Sequence, residues 1–258
     1  MDASLRVTVQ FQPDRVVEGH TVLEGLRRDG VYRSQFETGV SSGGLTAHPG
    51  GDRWSWESRL FGAAYDDAPP AARPRYGSLN YRRRPGGGSP RFGSAHLRLT
   101  GESLARTTFC YPDSVFQPTA LGTAGRMSLV ALADENVLDD PLDDYIEAHV
   151  HGPVKLAEDV EALVLDPCYR DTEVETVASR LRCQAEWHPG WRLDVAVLAA
   201  APGYRGQQVV EAGLRVARDG VLDARAVGDG MRAGVEDEQV LKRVWHCIAR
   251  FGTPVAPA

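Results

Sequence analysis

Several stretches of the chain alternate apolar and polar residues, a pattern that predicts β-strands. In the first stretch, Leu5–Phe11, every second residue is apolar, so one face of this strand is predicted to be buried. Further strands are predicted at Val31–Phe36, Tyr76–Tyr81, His96–Leu99, Tyr145–Val150 and Val160–Leu165.

Apolar residues recur at helical spacing elsewhere, chiefly near the end of the chain. Asp14 is predicted to cap a helix that Gly30 terminates, and Trp54–Tyr65 is predicted to be an amphipathic helix. Later helices are predicted at Glu173–Gln184, Gln207–Arg218 and Glu236–Phe251. In the last of these, acidic residues at the start and basic residues further on suit the helix dipole.

The change from strands to helices predicts a boundary near residue 172. We expect an α+β domain over residues 1–172 and a mainly helical subdomain over residues 173–258. The beginning of the chain lacks the basic-then-apolar pattern of a signal peptide, and no apolar run reaches the roughly 18 residues of a membrane span. We therefore expect a cytoplasmic protein without a membrane partner, and export by a leaderless route stays open.

Positive charge is concentrated in one block, Arg73–Arg98, although the whole chain carries a net charge of −6. The block holds seven arginines together with the glycine turn Gly86–Gly88, a combination that suits phosphate or carboxylate recognition. Between Asp134 and Glu175 the chain has fourteen acidic residues and only two basic ones. The block therefore either pairs with internal carboxylates or faces an anionic partner.

Two short segments carry candidate acid–base chemistry. Alternation along the strand that begins at Tyr145 places Glu147, His149 and His151 on one face, where they could act as acid or base or bind a metal ion. The alternative is a solvated edge strand. Near the arginine block, Ser94 could orient a ligand or a catalytic carboxylate and His96 could act as an acid or base, whereas both could equally be structural.

Longer stretches resemble a bacterial family of unknown function. The resemblance is carried by YGSLNYRRRPGGGSPRFGSAHLRL at Tyr76–Leu99, YRSQFETG at Tyr32–Gly39, GGDRW at Gly50–Trp54, TTFCYPDS at Thr107–Ser114, YIEAHVHG at Tyr145–Gly152 and VLKRVWHCIARFG at Val240–Gly252. These segments span nearly the whole chain, and membership names no reaction.

Three shorter elements resemble ADP-ribosyltransferases, which use NAD as donor. They are Tyr32-Arg33 on an early strand, Phe92-Gly93-Ser94 in the middle, and Tyr145-Ile146-Glu147 on a late strand. The second element continues as Ser94-Ala95-His96 where toxin-type members have Ser-Thr-Ser, and Tyr145 stands where a second Glu or Gln is usual. The resemblance implies an α+β fold with a split, mostly antiparallel sheet.

The same resemblance implies roles for individual residues. Arg33 would hold the NAD pyrophosphate, Ser94 would position the catalytic Glu147, and Tyr76 or Phe92 would stack on nicotinamide. Arg91 joins the predicted NAD-binding residues and His96 the predicted catalytic ones. The implied acceptor is a protein or a nucleic acid.

The sequence is also compatible with two other functions. One is a metal-assisted phosphoesterase or nuclease built on His149 and His151, whereas the transferase hypothesis needs no metal. The other is a non-catalytic binder of nucleic acid or of a phosphorylated ligand through the Arg73–Arg98 block. The acidic overall charge argues against broad, nonspecific binding of nucleic acid.

Overall fold

The fold is taken from a computed structural model that describes residues 2, 4–39, 45–136 and 138–255. Its strands are β1 (Val7–Phe11), β2 (Val16–Val17), β3 (His20–Thr21), β4 (Val31–Tyr32), β5 (Arg75–Leu79), β6 (Ala95–Leu99), β7 (Thr107–Tyr111), β8 (Ala120–Thr123), β9 (Ile146–Val150), β10 (Val154–Lys155), β11 (Val160–Leu165), β12 (Gln184–Trp187), β13 (Leu193–Asp194) and β14 (Val221–Leu222).

Eight of these strands form one sheet in the order β12-β11-β6-β1-β5-β9-β7-β8. Every neighbouring pair is antiparallel except β11 with β12. The strands predicted near residues 5, 76, 96, 145 and 160 all lie in this sheet. The predicted α+β fold with a mostly antiparallel sheet is confirmed.

The two faces of the sheet differ in chemistry. The register sets Thr8 opposite Ser78, and Ser78 opposite Glu147, so polar residues of neighbouring strands share one face. Val9, Leu97 and other aliphatic residues occupy the opposite face, where they form the main hydrophobic core. The polar face is also buried, and its side chains therefore need partners inside the protein.

The sheet is split between its central strands. β1 and β5 pair only at Val7–Leu79 and Thr8–Ser78, whereas β5 pairs with β9 along its whole length. Gly77 stands beside this junction, and a Cβ atom there would lie 2.5 Å from the carbonyl oxygen of Thr8. The polar face therefore opens where β1 leaves β5.

The helices are α1 (Val22–Asp29), α2 (Gln35–Thr38), α3 (Asp52–Leu60), α4 (Leu129–Glu135), α5 (Leu156–Asp159), α6 (Glu173–Ala178), α7 (Val195–Ala199), α8 (Pro202–Arg205), α9 (Gln207–Val216), α10 (Ala224–Arg232) and α11 (Glu238–Phe251). Short 3-10 helices occur at Pro70–Ala72, Pro90–Phe92, Gly101–Arg106, Ser114–Phe116 and Pro167–Tyr169. No helix of the described residues is long and apolar enough to cross a membrane.

The first helix begins later than its sequence predicts. Asp14 does not cap it, because β2 and β3 form a small hairpin before the helix starts. Thr21 is the N-cap instead, and it makes a capping box with Glu24. Gly30 ends the helix in a left-handed conformation, as predicted.

This cap gives a simple test of the local structure. Thr21→Ala removes the hydroxyl that accepts from the Glu24 N–H, so we expect a loss of about 1 kcal/mol in the free energy of unfolding. Thr119→Ala changes an exposed threonine outside any helix and should shift the value by no more than about 0.5 kcal/mol. Urea unfolding of both variants measures the difference, and equal values would contradict the capping role.

The C-terminal third has a hydrophobic cluster of its own. α9, α10 and α11 surround buried residues that include Val210, Leu241 and Trp245. β12 also follows residue 172, yet it pairs with β11 in the main sheet. Trp187 of β12 packs against both clusters, so the two portions share an interior surface. The domain boundary near residue 172 stays a prediction.

Candidate functional site

A cleft of about 280 Å³ opens beside the split of the sheet. We call it the main cleft; its lining includes Gln10 of β1 and Glu147 of β9, together with residues of α11. A smaller cleft of about 120 Å³, the side cleft, lies next to it. Tyr32, Gln35 and Tyr76 line both, so the two clefts are neighbours that share part of their walls.

The Glu147 carboxylate is buried in the main cleft and held by three groups. The hydroxyl of Ser114 donates to Oε2 at 2.9 Å, and the backbone N–H of the same residue lies 3.4 Å away. Nε2 of His149 lies 3.0 Å from Oε1. Nη1 of Arg53 lies 3.7 Å from Oε1. Both oxygens are thus occupied, and the side chain has one fixed orientation.

Arg53 reaches this site from α3. Its guanidinium donates to the Ser114 hydroxyl at 2.7 Å and stacks over the Tyr76 ring, with 3.9 Å from Cζ to the ring centre. Tyr76 in turn donates to Glu57, which also accepts from Arg73 at 2.7 Å. These contacts join α3 to β5 and β9. The cation that compensates Glu147 is therefore fixed by the fold.

A second carboxylate, Asp113, lies beside the first. It accepts hydrogen bonds from the Tyr145 hydroxyl and, at 2.8 Å, from the Val115 N–H. The Ser114 hydroxyl is 3.3 Å from Asp113 and 2.9 Å from Glu147, so it links the two groups. Each of two neighbouring carboxylates makes ionisation of the other less favourable.

The two carboxylates have opposite pKa shifts. Burial, then the charge of Glu147, raises the pKa of Asp113. Burial also acts to raise the pKa of Glu147, but the hydrogen bond to His149 and the charge of Arg53 outweigh it and lower that pKa. Such a pair offers one ionised carboxylate and one that holds a proton more readily.

His149 of β9 and His151, which directly follows this strand, both form hydrogen bonds. Thr108 contacts Nδ1 of His149 at 3.2 Å and Nε2 of His151 at 3.0 Å, and the Tyr65 hydroxyl is 2.6 Å from His151. Among the described residues, three potential metal ligands converge, Cys110, Glu147 and His149, within 4.8 Å of one another. His151 is outside this group, contrary to the arrangement that the phosphoesterase hypothesis needs.

Most predicted NAD-binding residues line the two clefts. Tyr76, Arg91 and Phe92 line the main cleft, and Tyr76 also lines the side cleft. Arg33 lines the side cleft, where its guanidinium pairs with Asp29 and Glu18. Glu147 and Arg33 therefore line neighbouring clefts, and Ser94, the third residue that the transferase hypothesis places with them, lines neither. The roles of these residues stay predictions.

Ser94 and His96 lie outside both cleft linings. The Ser94 hydroxyl donates to Gln12 at 2.7 Å, so the predicted contact with Glu147 is replaced by that of Ser114. His96 is 2% exposed on the polar face, and burial lowers its pKa to about 3. Both are held in the interior because the strand β6 that follows Ser94 is central in the sheet.

Internal carboxylates neutralise most of the Arg73–Arg98 block. Six of its arginines form ion pairs: Arg73 with Glu57, Arg75 with Glu37, Arg82 with Asp144 and Asp134, Arg83 with Asp2, Arg91 with Asp143, and Arg98 with Glu161 and Glu186. Several of these partners belong to the acidic stretch of residues 134–175, as the charge pattern suggested. This geometry favours an internal role for the block.

The glycine turn of the block also faces the protein. The Gly88 N–H donates to Thr8, and the Gly86 carbonyl accepts from Gln10. Gly87 has a φ of +89°, and a Cβ there would lie 2.0 Å from the Gln10 amide. The turn thus closes over the polar face of the sheet, and these groups are not available to an anion.

Sequence reasoning missed Arg53, Ser114 and Asp113. Arg53 lies within GGDRW and the other two within TTFCYPDS, two segments that carried the family resemblance without a chemical role. It also missed a polar stripe on α11. Gln239, Lys242, Arg243 and His246 recur at helical spacing and line the main cleft, a signal that was present in the sequence.

Comparison with known proteins places the chain in a family. Among solved structures, it is similar to DarT of Thermus sp. 2.9 in complex with carba-NAD+, with 11% identity and a TM-score of 0.41 over 73% of this chain and 96% of that chain. No curated protein matches it. The family model "Protein of unknown function (DUF3626)" matches residues 6–139 and 128–251. These matches span most of the sequence, and the chain belongs to the DUF3626 family.

Proposed function

We propose that this protein transfers ADP-ribose from NAD to a macromolecular acceptor and releases nicotinamide. The observation that carries the proposal is the Glu147 carboxylate, which is kept ionised by its surroundings and lies in a cleft beside the Tyr76 ring. Transfer of a glycosyl group needs a fixed negative charge where positive charge develops on the sugar. Glu147 has the required charge and rigidity.

The cleft has buried polar atoms suited to a dinucleotide. Oε1 of Gln10, Oε1 of Gln35, Nε of Arg53 and both ring nitrogens of His246 have no hydrogen-bond partner among the described residues. All four side chains line the main cleft. Buried polar groups are usually satisfied, so these atoms fit a ligand rich in hydroxyl and amide groups. Arg33 in the side cleft would hold the pyrophosphate.

The chemistry divides between the two carboxylates. NAD would supply an N-glycosidic bond whose breakage leaves positive charge on the ribose. Glu147 stabilises that charge, and Arg53 and Ser114 keep its carboxylate in place. Asp113 accepts hydrogen bonds from Tyr145 and Val115 as a carboxylate would, and its raised pKa makes it the stronger base of the two, so it would receive the proton that the acceptor loses. Tyr76 and Phe92 supply aromatic surface for the nicotinamide ring.

The direct test is Glu147→Gln, which keeps the shape of the side chain and removes its charge. Incubation with labelled NAD and cell lysate measures label transfer and nicotinamide release. We expect both rates to fall by about 100-fold or more, the usual loss when one electrostatic contact to the transition state is removed. Glu161→Gln is the matched control, since Glu161 pairs with Arg6 and Arg98 outside the clefts.

The control should keep its activity. Equal rates for the wild type and Glu147→Gln, or no NAD consumption by either protein, would overturn the proposal.

A further inference from the structure

The polar stripe of α11 consists of Gln239, the neighbouring pair Lys242 and Arg243, and His246, with three residues from Gln239 to Lys242 and three from Arg243 to His246. All four side chains line the main cleft. The apolar residues of the same helix, such as Trp245, pack into the C-terminal cluster. The two faces of α11 thus have different roles. One stabilises the fold, and the other is presented to whatever occupies the cleft.

His246 is the residue of this stripe that points most directly to a ligand. Its side chain is buried, and neither ring nitrogen has a hydrogen-bond partner among the described residues. Burial, followed by the charges of Arg91, Arg205, Lys242 and Arg243, lowers its pKa to about 2, so the ring is neutral. A neutral imidazole has one donor and one acceptor, and leaving both unpaired is costly. A ligand in the main cleft that accepts a hydrogen bond would satisfy the donor nitrogen.

The charges around His246 indicate the chemistry of that ligand. Arg243 is exposed at the cleft, and no carboxylate of the described residues forms a salt bridge with it. Lys242 is half-buried beside it. Arg91 adds a third cation, partly neutralised by Asp143. Trp245 donates to the Pro90 carbonyl at 2.9 Å, which holds α11 against the segment that carries Arg91.

We propose that Arg243, Lys242 and His246 bind a phosphate group in the main cleft, which also contains Glu147. Guanidinium and ammonium groups beside an imidazole N–H donor are typical of phosphate recognition. The carboxylates of Asp113 and Glu147 would repel a phosphate, so it belongs at the α11 wall. This stripe lines the main cleft and is absent from the lining of the side cleft, where Arg33 lies.

The phosphate has two potential sources, and only their assignment rests on the proposed function. If NAD occupies both clefts, its pyrophosphate could reach α11. If the pyrophosphate instead lies at Arg33, the α11 phosphate belongs to the acceptor, which would then be a phosphate-bearing molecule.

Calorimetric titration with inorganic pyrophosphate tests the site without any transfer reaction. We expect wild-type protein to bind it with an affinity that falls as salt rises, and Arg243→Ala to weaken binding about tenfold. His246→Gln should also weaken it. Arg250→Ala, an exposed arginine later on the same helix, is the matched control and should bind as the wild type does.

A repeat titration with saturating NAD separates the sources. If NAD displaces pyrophosphate and Arg243→Ala weakens both ligands, the phosphate is that of the dinucleotide. If pyrophosphate still binds and the variant weakens pyrophosphate alone, it is that of the acceptor. Unchanged pyrophosphate affinity in Arg243→Ala would overturn the proposal. An inactive enzyme that still binds pyrophosphate through Arg243 would contradict only the transferase function.

Discussion

Replacement of Arg53 by methionine is expected to lower the free energy of unfolding by about 3–5 kcal/mol. The Arg53 side chain is 4% exposed and its guanidinium lies 3.7 Å from the Glu147 carboxylate. Without it, an ionised carboxylate would stay in the interior with no cation beside it, and the Ser114 hydroxyl would lose a donor. Methionine fills much of the same volume, so the loss reports charge more than a cavity. Urea unfolding at neutral pH measures it.

Two further variants show whether the loss comes from this ion pair. Arg59→Met changes an exposed arginine of the same helix and should cost no more than about 0.5 kcal/mol. Adding Glu147→Gln to Arg53→Met removes the uncompensated charge, so the double variant should be more stable than Arg53→Met alone. A loss below about 1 kcal/mol for Arg53→Met, or no recovery in the double variant, would contradict the role of the pair.

The strands of the sheet could be predicted because their apolar residues repeat every second position. The burial of the polar face of β1 could not be predicted, since its polar residues Thr8 and Gln10 alternate with apolar ones as solvent-facing residues do. In the structure both are buried, because α3, the glycine turn and α11 cover the polar face. A strand with one apolar face and one buried polar face has the same alternating residue pattern as a strand whose polar face is exposed to solvent.

Part of the candidate site could be predicted from the alternation of residues along one strand. Glu147 and His149 are two residues apart on one strand, so alternation alone places them together. Arg53 and Ser114 come from other elements, and only the tertiary fold brings them to Glu147. Ser94 precedes a strand at the expected place in the chain, yet Ser114 makes the hydrogen bond to Glu147 that was predicted for Ser94. The amino-acid sequence predicts the order of the strands and helices, but it does not predict which hydroxyl group reaches the carboxylate.

The charge pattern of the sequence indicated that the Arg73–Arg98 block pairs either with internal carboxylates or with an anionic partner, but it did not distinguish between the two. Some partners, such as Asp143 and Glu161, come from the acidic stretch that the sequence made conspicuous. Others, such as Glu37 and Glu57, are single carboxylates on short helices that no pattern distinguished. The exposed Arg243 of α11, outside the block, instead lies at the main cleft.

Acidification from pH 7 to pH 5 is expected to remove about 4 kcal/mol of stability through two buried histidines. Burial is the main reason that the pKa of His96 is lowered to about 3 and that of His246 to about 2. An unfolded histidine takes up a proton near pH 6.5, whereas these two stay neutral in the folded protein. The unfolded state therefore binds more protons below pH 6.5, and each group costs about 1.4 kcal/mol per pH unit. That stability is fully present above pH 6.5.

Variants separate this effect from the titration of carboxylates, some of which act in the opposite direction. Burial raises the pKa of Asp113 and Asp14, so the folded state takes up protons first at those sites and gains stability on acidification. His96→Gln and His246→Gln should each lose about 2 kcal/mol less than the wild type between pH 7 and pH 5 in urea unfolding. Thr119→Ala, an exposed change that involves no titratable group, should leave the pH dependence as it is. A histidine that is neutral in the folded state and charged in the unfolded state makes the free energy of unfolding fall as the pH falls. If the wild type and both buried-site variants show the same dependence on pH, these two imidazoles are not shielded from solvent.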